Sequence, residues 1–549
     1  MKIFRLFKKN LSLRMVNFVG LSVVLACLLL SAGYIKRELS YDRHHANAER
    51  IVRLTLQFDN EPADGRILGN ALDELLQQIP EIERTVKMFN IQTAVLTCQG
   101  KQRVVNDFYM VNRNFLQVFD LPLVHGNKDE ALLRKGQALI SESYARQLFG
   151  ELSFDEMQMF GISITGRSFR EDSTVFVSGV FKDIPETSHF HTDILLFLPD
   201  EYNVLAYTYL LLEKSTNIQK LAQKITQLIA EKELYQASPP RALLMPLTDI
   251  HLHSHNLREM GGNGNIHYIY LLIGANALLL IIALFNLWLN ANLIFSHNRR
   301  YYQLLRLHGA PSFTVFKDEA LLALLLGVFS IIAGAATVFY VLSLRKMHVQ
   351  LSYFELSAGC TVFLLLIIVI SLLPAIKNIS STLFLNTDKD LRPVRFSYRN
   401  VKYMFTAQYA IVMMVVILAF GINKQMNLVK NTQVGGNERN ILVMAEQPEQ
   451  VKEKYALLKS ELLKYSEIEA VTSSFQLPGD AIRDATSVKK VGDTEWQTLP
   501  IMVAGEDFLS FFRIGVVAGQ VFSPAKYDYG LIVKSGDEIA LFFINSQKW

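Results

Sequence analysis

Three cysteines stand in 549 residues, and their scarcity excludes two classes at once. Cys27 and Cys360 lie inside apolar runs and Cys98 stands alone, so neither a disulfide framework nor a zinc site has the spacing it needs. The phosphate-cradling pattern Gly-x-x-x-x-Gly-Lys-[Ser/Thr] is missing, so ATP hydrolysis would have to come from a separate polypeptide. Gly-x-Ser-x-Gly and His-Glu-x-x-His are missing too, and no nucleophile stands beside a base; neither an enzyme nor a bound cofactor is expected. A strong excess of one charge is also lacking: 55 Lys and Arg against 51 Asp and Glu leave a formal net charge of +4. The basic residues gather beside apolar runs, a pattern of membrane topology that argues against nucleic acid as a partner.

Apolar runs are what the chain has instead. Half of its residues are hydrophobic and its mean hydropathy is +0.20, as expected of an integral membrane protein with sizeable soluble parts. Crossing a bilayer takes roughly 20 apolar residues, and five runs qualify or nearly so: 15–34, 266–294, 320–343, 357–374 and 403–422. The segment 1–14 spaces Lys2, Arg5, Lys8, Lys9 and Arg14 among Ile3, Phe4, Leu6 and Phe7, which suits an amphipathic helix on the inner leaflet. The run that follows is too long for the core of a signal peptide and has no small-residue cleavage site, so it is expected to be a membrane helix with the N-terminus inside. Between the first two runs, residues 35–265 read as a soluble domain. Ile51, Arg53 and Thr55 alternate like a strand, as do Arg103–Val111 and Asp172–Phe181, while Asp73–Ile79 and Thr216–Leu234 have helical spacing. The fourth run is expected to close at Pro374, after an outer loop 344–356. Segment 375–402, with Lys389, Arg392, Arg395, Arg399 and Lys402, is expected on the cytoplasmic side, and 423–549 outside again. The fold class is therefore a polytopic α-helical membrane protein with α+β extracytoplasmic domains.

The short basic stretch Ser296–Phe316, held between the second and third runs, is the most distinctive piece. Arg299, Arg300 and Arg306 place this loop (295–319) in the cytoplasm by the positive-inside rule, and Tyr302, Leu305 and Leu307 form an apolar stripe before the stop at Gly309-Ala310-Pro311. Such a loop suits docking of another protein, although a plain surface hairpin would satisfy the same rule. Asn286, Asn290 and Asn292, polar in an apolar run, are expected to face other helices. His251, His253 and His255 alternate; a strand would align them on one face as for a transition metal, but a strand rim with Ile250 and Leu252 inward explains the pattern equally, and no metal is expected. An internal echo links Asn114–Gly126 to Asp507–Gly519, with Phe115/Phe508, Leu116/Leu509, Phe119/Phe512, Val124/Val517 and Gly126/Gly519 in register, and Glu81-Ile82-Glu83 to Glu467-Ile468-Glu469.

Taken in order, ELSYDRHHANAERIVRL, IPEIERTVKMF, ALISESYARQLFG, VSGVFKDIPETSHF, MPLTDIHLHS and GNIHYIYLLIGANALLLIIALFNLWLN resemble the FtsX-like (MacB-type) permeases of ABC transporters, in the large duplicated form. The resemblance runs from Leu11 to about Ser523. It implies an inner-membrane, multi-pass permease that couples a separate ABC ATPase subunit to movement of periplasmic domains, for export or handling of a toxic compound, lipid or lipoprotein. The implied partners are that ATPase, membrane lipid and a periplasmic adaptor or envelope protein. In such permeases the loop after the second helix reads approximately R-E-I-G-x-x-K-x-x-G-A and contacts the ATPase. Arg300, Arg306, Gly309 and Ala310 match it, with Arg299 and Leu307 beside them, whereas Tyr301, Gln303 and His308 depart from it. Relatives of the duplicated form continue to further helices after the second repeat, so a shortened or inactive copy, or a non-transporting scaffold, is the alternative expectation.

Overall fold

The computed structural model describes residues 10–58, 63–68, 72–150, 153–166, 169–235, 239–345, 352–381, 398–431, 440–444, 451, 454–474, 484–488, 497–515, 529–533 and 540–544. Residues 1–9 of the amphipathic segment expected at the N-terminus and most of 375–402 lie outside them, while 11–14 belong to the first membrane helix.

The chain enters on α1 (Leu11–Leu39), whose 29 residues extend for about 43 Å. The first outer domain follows. Its strands are β1 (Ile51–Gln57), β2 (Ile67–Leu68), β3 (Ile82–Cys98), β4 (Lys101–Val111), β5 (Leu123–Gly126), β6 (Gln137–Ser141), β7 (Gly161–Gly166), β8 (Phe169–Phe181), β9 (Ile194–Phe197), β10 (Leu205–Leu212) and β11 (Arg241–Pro246). They form a sheet in the order β11-β1-β10-β3-β4-β9-β6-β8-β5, with β2 on β10 and β7 joining β3 to β8. Two pairings are parallel, β4 with β9 and β6 with β8, so the sheet is mixed. Helix α2 (Ile218–Ala230) lays Leu221, Ile225 and Ile229 against Val52, Leu54 and Leu210 of the sheet. These residues recur every fourth position, the spacing that keeps one helical face inward. Asn217 caps this helix by accepting the Lys220 amide at 3.0 Å. A second core gathers Phe115, Phe119, Phe190 and Tyr209, with Phe119 5.7 Å from Phe190 and 5.3 Å from Tyr209 in edge-on geometry.

The segment Leu247–His253 is a short helix, α3, and not the strand expected from its alternation. Residues two apart on a helix point about 200° apart, so His251, buried, and His253, exposed, do not share a face. No group of three or more His, Cys, Asp or Glu able to hold a metal occurs among the described residues. The alternation arises because Leu247, Ile250 and Leu252 are buried from a single helical turn and a half.

Four long helices follow: α4 (Ile266–Leu307), α5 (Ser312–Arg345), α6 (Tyr353–Ser381) and α7 (Tyr398–Asn431). With α1 they make five helices long and apolar enough to cross a membrane among the described residues. All five helices overrun their expected apolar runs, and two of these overruns matter here. Helix α6 continues through Pro374 to Ser381; proline removes one amide donor, but in hydrocarbon breaking the helix would strand further backbone groups. Helices α4 and α5 run far into the supposed loop 295–319, leaving a turn at 308–311. Helices α1, α4, α5 and α6 share a core that includes Leu21, Leu25, Leu29, Leu287, Leu326, Phe363 and Ile367. Helix α5 approaches α1 closely at Ser330 and Gly334, where a Cβ on Gly334 would lie 2.9 Å from the backbone oxygen of Ser22. Small residues at such a crossing are how helices gain van der Waals contact where lipid offers no hydrophobic drive. Helix α7 keeps its apolar length exposed.

Beyond α7 the described residues include helix Tyr455–Leu462 and a sheet β12-β13-β15-β14, built from β12 (Asp484–Val488), β13 (Gln497–Ala504), β14 (Tyr529–Val533) and β15 (Ala540–Ile544). The echoed sequence pieces adopt matching local structure. In the first domain Ile82 N–H donates to Ile79 at 3.0 Å, Met88 pairs with Val111, and Asn112 N–H donates to Lys87 at 3.3 Å. In the second, Ile468 N–H donates to Tyr465 at 3.1 Å, Ser474 pairs with Ala504, and Gly505 N–H donates to Ser473 at 2.8 Å. Each strand then gives a one-turn helix, Phe115–Val118 or Phe508–Phe511, with ring pairs Phe115/Phe119 at 5.1 Å and Phe508/Phe512 at 4.7 Å. Val517 and Gly519 lie outside the described residues.

Candidate functional site

The α4–α5 hairpin carries the candidate site, and its tip is helical. Helix α4 spans 42 residues, about 63 Å, roughly twice the hydrocarbon thickness of a bilayer. Nothing between Ser296 and Leu307 breaks a helix, and Tyr302 and Leu305, three apart, share one helical face, so the helix continues after the apolar run ends. Gly309 stops it. With φ +80° it takes the left-handed conformation that glycine adopts without steric cost. Ala310 N–H then reaches back to the Leu305 carbonyl at 3.0 Å, and His308 N–H to Leu304 at 3.1 Å. This is the Schellman closure, which satisfies carbonyls that the helix end would otherwise orphan. Pro311 precludes resumption of the same helix, and α5 begins at the next residue.

Of the expected docking residues, Arg300 is exposed on α4 about two turns before its end, Gly309 is exposed and Ala310 half-buried in the turn itself. Arg299, Arg306 and Leu307 lie on the last turns of α4, with side chains outside the description. Of the stripe, Tyr302 is buried and Leu305 half-buried.

The two core asparagines make interhelical contacts. Asn290 Nδ2 donates to Asn17 Oδ1 on α1 at 2.6 Å, and Gln408 Nε2 on α7 donates to Asn286 Oδ1 at 3.3 Å. Asn292 instead donates to the carbonyl of Trp288 on its own helix at 2.7 Å.

Sequence reasoning overlooked the buried polar group under the tip. Asn10 Nδ2 donates to Asn298 Oδ1 at 3.4 Å, and His297 Nδ1 lies 3.3 Å from Asn10 Oδ1. Tyr302 donates its hydroxyl to the Glu319 carboxylate on α5. Arg14 of α1, 4% exposed, interacts electrostatically with both Glu319 and Tyr302. Burial and the adjacent Glu319 raise the Tyr302 hydroxyl above its ordinary value, so it stays a donor. A polar knot thus joins α1, α4 and α5 where the tip leaves the apolar bundle. The signal that could have found it was a Tyr and an Arg flanking apolar runs with two acidic residues, Asp318 and Glu319, at the start of the next.

Fold and site define a polytopic membrane protein with an α+β extracytoplasmic domain inserted between its first two membrane helices. Residues 15–228 match the family described as the MacB-like periplasmic core domain. The chain is thus a multi-pass membrane protein that carries a MacB-like periplasmic core domain. Among solved structures it is similar to a domain of a Porphyromonas gingivalis protein whose name calls it a permease, at 20% identity over 37% of this chain and 92% of that one, TM-score 0.31. It is also similar to the periplasmic region of MacB from Actinobacillus actinomycetemcomitans, at 11% identity over 37% and 91%, TM-score 0.28. The extracellular domain of the noncanonic ABC-type transporter YknZ from Gram-positive bacteria matches at 14% identity over 36% and 99%, TM-score 0.28. No curated protein sequence matches the chain.

Proposed function

We propose that this chain transmits the work of a separate ABC ATPase to its outer domains. The N-terminus and the α4–α5 tip face the cytoplasm, where Arg299, Arg300 and Arg306 favour the inner side. The ATPase binds and hydrolyses ATP; this chain binds no nucleotide and catalyses nothing itself. Closure of the ATPase displaces the tip, and α1 and α7 carry the displacement to domains 35–265 and 423–549 as a rigid-body change. No solute channel through the bundle is required. The periplasmic consequence is export or handling of a toxic compound, lipid or lipoprotein, with an adaptor or envelope protein as outer partner. The matching turns and pairings around Phe115 and Phe508 support a duplicated unit, each copy led by a membrane helix.

One observation carries the proposal: the basic tip is a continuation of α4 beyond its apolar span, closed at Gly309 and tied at its base to α1. A floppy loop would absorb a push, whereas a continuous helix passes it on. The departures at Tyr301, Gln303 and His308 favour a partner with altered contacts, and the second reading, a scaffold without ATPase, predicts the opposite in the same experiment. The chain is purified from native membranes in mild detergent, and co-purifying nucleotide-binding protein and ATPase activity are measured for wild type, Arg300→Glu and Arg306→Glu. Stoichiometric ATPase on wild type, lost with either reversal of charge, supports coupling. Absence of an ATPase from wild type refutes it.

A further inference from the structure

Two buried polar clusters lie where the first outer domain receives the chain from α1 and where it sends the chain on toward α4. At the entry, Asp42 follows closely on α1 and adopts φ +57°, a conformation that side chains other than glycine rarely take. It is held there on several sides. Its N–H donates to the Thr187 carbonyl at 2.8 Å, and its Oδ1 accepts from Ser188 Oγ and His189 N–H, both at 3.1 Å. The same oxygen lies 2.9 Å from His189 Nδ1. His189 Nε2 meets the Tyr209 hydroxyl at 2.7 Å, and that hydroxyl is 3.5 Å from Met260 Sδ, in the segment leading out of the domain.

At the exit, Arg53 donates from Nη1 and Nη2 to the Glu259 carboxylate at 2.6 and 2.8 Å, and from Nη2 to Ser254 Oγ at 2.6 Å. Arg53 and Tyr209 are directly opposed across the β1–β10 ladder. The side chains of Asp42, Arg53 and His189 are at most 1% exposed. A buried charge left without its partner is strongly destabilising, so within each cluster one group depends on the other being in place.

We propose that Asp42, His189, Tyr209, Arg53 and Glu259 form one cooperative joint that fastens both chain crossings to the β1–β10 ladder, so that a pull on α1 reaches the sheet undiminished. The transmission half of this rests on the function proposed above; the cooperative half does not. These are positioning residues, and no ligand is involved. Two sequence pieces that carried the family resemblance, SYDRHH and ETSHF, are thereby given a shared physical task.

Hydrogen exchange on the full-length chain in detergent tests the joint without any ATPase. Tyr209→Phe, which keeps the ring and removes the hydroxyl, is expected to speed exchange at least tenfold both at 42–50 and at 254–260. Glu259→Gln should loosen the same two segments, and the double variant should fall well short of the product of the single effects. Loosening confined to each variant's own crossing, with multiplicative effects in the double, overturns the proposal, as does a neutral Tyr209→Phe. The β3–β4 amides serve as the fold control; if either variant exposes them, Ser254→Ala replaces it, with the same two-crossing loss expected and the same local loss overturning. In the complex, Tyr209→Phe should leave ATPase binding unchanged while abolishing any ATP-dependent change in exchange at β1 and β10. Persistence of that change with both crossings loosened removes the joint from the transmission path, whereas failure of ATPase binding in wild type refutes the function and leaves the joint standing.

Discussion

Replacing Gly309 by alanine should loosen the α4–α5 tip by about 1 kcal/mol, the usual cost of forcing a Cβ into the left-handed region. The surroundings add nothing to that figure, because a Cβ at Gly309 would meet no atom within 4 Å. The perturbation is therefore conformational and local, and at tenfold per 1.4 kcal/mol it corresponds to about a fivefold larger population of opened turn. The Ala310 amide reports on it directly, since its bond to Leu305 exists through the Schellman closure. Exchange at Ala310 should speed up about fivefold in Gly309→Ala, while amides in the middle of α4 stay unchanged. Asparagine tolerates the left-handed region better than other side chains, so Gly309→Asn should fall between wild type and alanine, and the β-branched Gly309→Val should be worst. Retention of the ATPase in the pull-down should follow the same order. Equal exchange in Gly309→Ala and wild type, or an asparagine variant looser than alanine, would refute the assignment of the turn as a glycine-dependent helix stop.

Two further predictions concern the outer domain and the bundle. Burial, reinforced by the neighbouring His44, lowers His45 from 6.5 to about 4 in the folded chain. Between these values the unfolded chain takes up a proton that the native one refuses, so stability should fall by about 3 kcal/mol as pH drops from about 6.5 to about 4. His45→Asn should flatten this dependence in denaturation curves taken across that range, and an unchanged slope would show that another group titrates. In the membrane, Gly334→Leu should destabilise the α1–α5 contact by about 1–3 kcal/mol or more, because the added Cβ meets the fixed backbone oxygen of Ser22. Thermal denaturation in detergent measures it, and a midpoint equal to wild type would mean the helices separate at no cost.

Much was legible from the chain alone because its strongest signals are local. Twenty apolar residues in a row have no better environment than a bilayer, so the run near each membrane helix is visible without knowing its neighbours. The ordered motifs from ELSYDRHH to GNIHYIYLL likewise pointed to the family that residues 15–228 match. Boundaries were less legible. The expected stop at Pro374 fails because the membrane environment penalises a broken helix more than one missing bond, and α4 overruns its apolar stretch because nothing before Gly309 ends it.

Periodicity misled at His251–His255, where burial of Leu247, Ile250 and Leu252 on a short helix imitates alternation. A pattern of period two and one of period 3.6 cannot be separated over seven residues.

What the sequence by itself determined is composition-driven: membrane class, a large soluble insertion, the absence of nucleotide-binding and catalytic patterns, and the echo between Phe115 and Phe508. What tertiary structure alone decided is which distant polar groups meet. Asn17 finds Asn290, Tyr302 finds Glu319, Asp42 finds His189, and Arg53 finds Glu259 across 206 residues. The physical reason is that a buried polar group is stable when a partner satisfies it, and that partner is chosen by packing in three dimensions, which leaves no spacing in the chain to read.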